Sequence, residues 1–244
     1  MKIVGIIPSR LTSSRLPEKA LIDIHGLPMV VHVLKRAQMA PTLDRVIVAT
    51  DSDRIRKTVL AHGGEAIITS TDHQTGTDRI AEVVRNLEAD IVVNIQGDEP
   101  LLNPAHIDAA VQPLIEDDQV NVAVLVTPYH KKKSPSDIKA VLDLKGDILY
   151  CSRTDLPSDA RREPTRMWKM CFIVPFRRDF LLRYAALEQT PLEKIEYNEY
   201  LRILEHGHRI RTVPVEHADI SVDTTEDLKE VRQLMKNDQL RQKY

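Results

Sequence analysis

DRVIVATDSDRIRKTVLAHGGEAIIT, residues 44–69, decides the fold. RVIVAT and EAIIT are short β-branched runs without strict alternation, the pattern of strands buried on both faces. Between them, SDRIRKTVLAHG places apolar residues at three- and four-residue spacing, with Asp51 and Ser52 as candidate caps and Gly63 as a stop. Strand, helix, strand implies a parallel pair joined by a right-handed crossover. The same pattern extends in both directions. KIVGIIP (2–8) and DIVVNIQ (90–96) read as buried strands, and PMVVHVLKRAQMA (28–40) and TDRIAEVVRNLE (77–88) as amphipathic helices.

The second half is more mixed. VNVAVLVTP (120–128) and KAVLDLKGDILYCSR (139–153) read as strands, with Lys145-Gly146 as a hairpin turn inside the latter. MWKMCFIVPF (167–176) reads as one strand-like run, and RRDFLLRYAALE (177–188) and EKIEYNEYLRILEHG (193–207) as helices. HRIRTVPV (208–215) is a further strand, and TTEDLKEVRQLMKN (224–237) is a final helix with Thr224 and Asp227 in capping-box positions. The expectation is one α/β domain, a doubly wound, mostly parallel sheet, with a smaller mixed α/β lobe inserted at about residues 128–215.

Composition narrows the function classes. Lys and Arg number 34 against 36 Asp and Glu, so no global basic field favours nucleic acid. No apolar run approaches the roughly 20 residues of a membrane helix, and the start is a poor signal peptide. Cys151 and Cys171 are too few for a disulfide framework, and the nine histidines show no HExxH pattern. A globular, cytoplasmic protein that binds neither nucleic acid nor membrane is expected.

Four polar constellations stand out. The first, Pro8-Ser-Arg-Leu-Thr-Ser-Ser-Arg-Leu-Pro-Glu-Lys19, follows the first strand, where an open α/β sheet has its ligand crevice. Arg10, Arg15, Lys19, four hydroxyl residues and many backbone N–H groups suit a polyphosphate, although a solvated basic loop would read the same way. The loop matches neither the GxxxxGK[ST] nor the GxGxxG pattern. The second is Asn94-Ile-Gln-Gly-Asp-Glu-Pro100. Asp98 beside a phosphate loop suits magnesium, which takes one or two carboxylates plus phosphate oxygens; the same residues also suit a helix start with Pro100 in its first turn. The third is Ser221-Val-Asp-Thr-Thr-Glu-Asp227, where Asp223 lies just outside the cap and can supply a second carboxylate. The fourth, Asp72–Arg79, is a polar loop opening a helix, suited to ligand recognition or to loop chemistry alone. Lys131, Lys132 and Lys133 read as a solvated run.

Five motifs together resemble the CMP-Kdo synthetases, the 3-deoxy-manno-octulosonate cytidylyltransferases of the nucleotidyltransferase A superfamily. They are IIPSRLTSSRLPEKAL (6–21), DRVIVATD (44–51), TDHQTGTDRIAEVV (71–84), VNIQGDEPL (93–101) and SVDTTEDL (221–228), in the family's order and near its spacing. The resemblance implies a Rossmann-like nucleotidyltransferase domain over residues 1–244, whose inserted lobe holds the acceptor sugar and forms a homodimer. It implies CTP contacts at Pro8, Ser9, Arg10, Leu11, Thr12, Lys19, Thr77, Arg79 and Asp98, and magnesium at Asp98 and Asp223. Lys19, Arg10, Asp98 and Asp223 become the catalytic set, and Arg15, Gln96, Arg153, Glu199 and Tyr200 line the sugar.

The implied reaction joins CTP to an acidic 3-deoxy sugar, giving a CMP-sugar and pyrophosphate for lipopolysaccharide or capsule synthesis. The departures lie in the acceptor half. Where the family has Lys-His-x-Gly-Ile-Tyr, this chain has Lys169-Met-Cys-Phe-Ile-Val174, and Tyr200 replaces a Gln. The stretch between Pro157 and Trp168 is also shorter than usual. A different acidic acceptor sugar, or a regulatory CTP-binding module without catalysis, are the alternatives.

Overall fold

In the computed structural model, residues 1–13, 16–158, 160–161 and 166–244 are described. The chain divides into two compact units, Met1–Asp108 with Asp219–Tyr244, and Ala109–Ala218.

The first unit opens with β1 (Ile3–Ser9), a Lys19–Leu21 3-10 turn and a small hairpin of β2 (Asp23–Ile24) and β3 (Leu27–Pro28). Then follow α1 (Met29–Ala37), β4 (Arg45–Thr50), α2 (Asp53–Ala61), β5 (Glu65–Ile68), α3 (Gly76–Arg85), β6 (Ile91–Ile95) and α4 (Pro104–Glu116), in which the unit boundary falls. The long strands run parallel in the order β6-β1-β4-β5. The chain steps outward from β1 to β4 and β5, then returns to β6 on the other side of β1. Strand order therefore reverses at β1, and a crevice opens beyond the carboxyl ends of β1 and β6. β1, β4 and β6 are almost wholly buried, as their β-branched runs require. β5 departs from the expectation of burial on both faces: it is half-buried, with Ile68 exposed.

The local signals hold. Ser52 caps α2 by accepting from Ile55 N, and Gly63, at φ +72°, follows its end. α3 carries a Thr75/Asp78 capping box.

The second unit contains β7 (Ala123–Tyr129), β8 (Lys139–Leu142), β9 (Ile148–Ser152), β10 (Met167–Cys171), β11 (Ile173–Arg177), α5 (Arg178–Ala185), α6 (Pro191–Glu196), α7 (Tyr200–Glu205) and β12 (Arg211–Pro214). Its sheet has the order β12-β7-β10-β8-β9, antiparallel except for the β12–β7 pair. Gly146, at φ +82°, turns the β8–β9 hairpin, as the Lys145-Gly146 pair predicts.

Two expected elements are each split. The 167–176 run breaks at Phe172, whose ring stacks on Tyr200 at 5.6 Å. The 193–207 helix breaks at Tyr197, which adopts φ +52°. Asn198 then turns inward: its Nδ2 donates to Cys151 Sγ at 3.2 Å, and its Oδ1 accepts from Tyr200 N. A buried amide that bonds locally competes with helix continuation.

α8 (Thr225–Met235) returns the chain to the first unit. Thr224 and Asp227 form its capping box, and Leu228, Val231 and Met235 pack with Leu16, Ile24, Met29 and Val222. No described helix is long and apolar enough to cross a membrane.

Candidate active site

The crevice of the first unit is a polar pocket walled by the ends of β1 and β6, the loop before α3 and the segment before α8. Pro8, Ser9, Arg10, Thr12, Ser13 and Lys19 form one wall; His73, Gln74, Gly76 and Arg79 form another; Gln96, Gly97, Asp98 and Asp223 complete it. A Cβ on Gly97 would stand 3.0 Å from Pro8 O, so only glycine lets the end of β6 lie against the end of β1.

Lys19 organises the site. Its ammonium donates to Asp98 Oδ2 at 2.6 Å, Val222 O at 3.0 Å and Asp223 Oδ1 at 3.3 Å. The turn after β6 and the segment before α8 are thereby tied to the basic loop, and Val222 N donating to Asp98 O at 2.9 Å closes the ring. Asp98 sits in a turn and α4 starts only at Pro104, so the alternative of a helix start with Pro100 in its first turn does not hold. Asp223 lies outside the Thr224 cap, its backbone N–H donating to Asp227 Oδ2 at 2.9 Å.

The two carboxylates converge on the Lys19 ammonium. Their side chains are 26% and 34% exposed, which leaves lone pairs facing water and space for phosphate oxygens. This donor set fits magnesium, a hard ion that prefers few carboxylates, phosphate and water. Asp98 and Asp223 are the residues that could hold it.

Arg79 lines the pocket, but its guanidinium is buried and committed. Nη2 donates to Asp51 Oδ2 at 2.8 Å, and Nη1 to Thr69 Oγ1 and Ser70 O. Asp51 in turn accepts from Leu11 N at 3.3 Å. Asp51, read from sequence only as a cap candidate, is thus the link by which Arg79 supports the phosphate loop. Its place at the carboxyl end of β4 was the signal available. His73 and Gln74 were also passed over within a loop that sequence did single out; the His73 imidazole pairs with Glu82.

Other expected residues fall elsewhere. Thr77 is buried in the first turn of α3 and is not on the pocket wall. Leu11 lines a shallower cavity with Arg10, Thr12, Ser13, Pro17 and Glu18. Arg15 lies outside the described residues, as does much of the stretch between Pro157 and Trp168.

In the second unit the guanidinium of Arg153 is taken up by backbone. It donates to Glu196 O at 3.0 Å, Pro135 O at 3.0 Å, Ser136 O at 3.3 Å and Tyr197 O at 3.2 Å. The guanidinium thereby holds two loops together. Tyr200 is 4% exposed, and Met170 and Val174 are fully buried, so these three serve the core of the unit. Glu199 precedes α7, with its carbonyl accepting from Tyr184 Oη at 2.8 Å. Nearby, Lys139 is buried with its ammonium on the carbonyls of Ser134, Asp137 and Arg153, and burial lowers its pKa.

Comparison with known proteins agrees with this geometry. A family profile described as cytidylyltransferase matches residues 4–210. The 3-deoxy-manno-octulosonate cytidylyltransferase of Geobacter metallireducens is 45% identical over 245 residues, covering 95% of this chain and 96% of that protein. The enzyme of the same description from Geotalea uraniireducens is 46% identical over 250 residues, covering 97% and 100%. Among solved structures, CMP:2-keto-3-deoxy-manno-octonic acid synthetase complexed with CTP superposes with a TM-score of 0.94 at 40% identity, covering 97% of this chain and 99% of that one. A cytidylyltransferase from Leptospira borgpetersenii, at 17% identity and a TM-score of 0.66, shares the fold. The doubly wound sheet is thus that of a nucleotidyltransferase, and the chain belongs to the cytidylyltransferase family.

Proposed function

We propose that this chain transfers the cytidylyl group of CTP to 3-deoxy-manno-octulosonate, releasing pyrophosphate. The observation that carries the reading is the Lys19 ammonium held between Asp98 and Asp223 beside a basic, hydroxyl-rich loop. The relatives of the same description, at 45% and 46% identity over nearly the whole chain, support the choice of reaction and acceptor.

In the reaction an acceptor hydroxyl oxygen forms a bond to the α-phosphorus while the bond from that phosphorus to the α–β bridging oxygen breaks. Pyrophosphate leaves with the electron pair, and the hydroxyl proton passes to solvent. Arg10 and Lys19 neutralise charge on the triphosphate and its leaving group, a task of positioning and electrostatics rather than covalent catalysis. Asp98 and Asp223 would hold magnesium, which would supply charge neutralisation for phosphoryl transfer when bound. Gly97 and Gly76 let backbone come close to the nucleotide, and Gln96 offers an amide on the same wall.

The second unit is the acceptor and homodimer lobe in this reading, and Leu144, Leu149, Ile195 and Tyr197, large apolar side chains exposed on it, support an interface there. The protein works in the cytoplasm, feeding lipopolysaccharide or capsule synthesis. Pyrophosphate release from CTP and magnesium, measured with a panel of acidic sugars, tests the reading. Release only with a sugar other than 3-deoxy-manno-octulosonate would change the acceptor; CTP binding without release would make the chain a nucleotide-binding module.

A further inference from the structure

Glu18 sits immediately before Lys19 in a left-handed conformation, φ 52° and ψ 34°. That region is disfavoured for every residue with a side chain, and glycine enters it freely. The unusual backbone has a consequence: it turns the chain so that Lys19 starts its 3-10 turn with the ammonium on Asp98 and Asp223. Something must hold a glutamate there. Its carboxylate does not line the main pocket; both oxygens meet the guanidinium of Arg54, with Nη1 on Oε1 and Nη2 on Oε2 at 3.0 Å. A forked pair of this kind fixes orientation as well as distance.

Arg54 lies in the first turn of α2, three residues after Asp51. Asp51 accepts from Leu11 N, so one short stretch, residues 51–54, grips the phosphate loop at Leu11 and again at Glu18. The side chains of the Glu18–Arg54 pair are 47% and 60% exposed, and ion pairs so exposed add little to folding stability. Stability therefore does not account for a strained glutamate paired in this way, whereas geometry at Lys19 does.

We propose that Glu18 and Arg54 are positioning residues for nucleotidyl transfer: their fork locks the left-handed turn at Glu18 and so aims Lys19 at the nucleotide phosphates. This inference rests on the cytidylyltransferase reading above. Glycine at position 18 separates aiming from strain, because it adopts φ near +52° without penalty but leaves Arg54 with nothing to hold.

The experiment compares Glu18→Gly, Arg54→Ala, their double variant and the parent, by CTP affinity in calorimetry, kcat and KM for CTP, and thermal unfolding. Lys57→Ala, which breaks an exposed ion pair with Asp53 on the same helix, is the control. Glu18→Gly and Arg54→Ala are each expected to lower kcat/KM for CTP roughly tenfold, within the range that slight misplacement of a catalytic group costs. Their melting temperatures stay near the parent's, the double variant is no worse than either single one, and Lys57→Ala matches the parent. Parent-like kcat/KM in either single variant, effects that multiply in the double, or an equal loss in Lys57→Ala would overturn the positioning role. A parent that binds CTP while the variants are unchanged defeats this inference alone; a parent that binds no CTP defeats the cytidylyltransferase reading and this inference with it.

Discussion

The Lys19 ammonium donates to Asp98 across 2.6 Å, joining residues 79 apart in sequence. Asp223, 204 residues from Lys19, shares the same ammonium at 3.3 Å. Three segments of chain meet at one positive charge, and each contact there is charge-assisted. The arrangement keeps two carboxylates side by side that would otherwise repel.

Asp98→Asn and Asp223→Asn should each lower turnover at least about a hundredfold, the scale on which removing one electrostatic contact to a transition state acts. CTP affinity should fall far less, because the charge is needed most when the α-phosphorus is under attack. Steady-state kinetics beside calorimetric CTP binding checks this. Turnover near the parent's in either variant would remove that carboxylate from the catalytic set.

Lys19→Ala should raise KM for CTP and lower kcat together, since a charge on the triphosphate serves bound substrate and transition state alike. The loss of a charged hydrogen bond corresponds to roughly ten- to a hundredfold in kcat/KM. Lys133→Ala, in the exposed run of the second unit, should leave both constants at parental values. Equal behaviour of the two variants would break the phosphate-loop assignment.

Arg153→Lys should lower stability by about 1–3 kcal/mol, because an ammonium cannot reach the four carbonyls that the guanidinium binds. Thermal unfolding shows the loss directly. If Arg153 instead met the sugar carboxylate, the substitution would raise the acceptor KM and leave the unfolding temperature alone.

Met170→His places an imidazole at a fully buried position, and an unpartnered polar group there costs about 1–3 kcal/mol. Tyr200→Gln removes a ring stacked on Phe172. Both variants should unfold at lower temperature without a change in acceptor preference. A shift in the ratio of kcat/KM between acidic sugars, at parental stability, would restore these positions to the sugar wall.

Stability should also depend on His32. Its ring is fully buried, and burial depresses its pKa below the usual 6.5, with Arg36 and Arg241 acting in the same direction. Nε2 bonds Ile24 O at 2.7 Å and Nδ1 bonds Tyr244 Oη at 2.9 Å, which suits a neutral ring donating from Nε2. The unfolded chain takes up the proton first, so this contribution is complete above pH 6.5. It declines as pH falls from there through the depressed folded value. Denaturant midpoints across that window should fall with acid in the parent and less steeply in His32→Gln. Equal slopes would mean that His32 does not carry the dependence.

The first unit was legible because β1, β4 and β6 are almost wholly buried and its caps are local. RVIVAT, KIVGIIP and DIVVNIQ needed only hydrophobic runs, and Ser52, Thr224 and Asp227 needed only sequence neighbours. Asp98 was legible as chemistry since strand ends in such a sheet converge, Lys19 because it lies in the basic loop after β1, and Asp223 because it lies just outside the cap of the last helix. Asp51 was not: its partners, Arg79 and Leu11 N, are brought to it only by the fold. Arg153 was assigned to the sugar by resemblance, and its backbone carbonyl partners leave no trace in sequence. The break at Tyr197 was hidden by helical spacing on both sides of it and shows only in the bonds of Asn198.

The most direct test of the central claim is pyrophosphate release by the purified parent protein with CTP, magnesium and 3-deoxy-manno-octulosonate, run beside Asp98→Asn. The expected result is acceptor-dependent release in the parent, with a CMP-sugar as co-product, and a loss of at least about a hundredfold in the variant. Release that needs no acceptor, none at all with bound CTP, or equal rates in parent and variant would contradict the account.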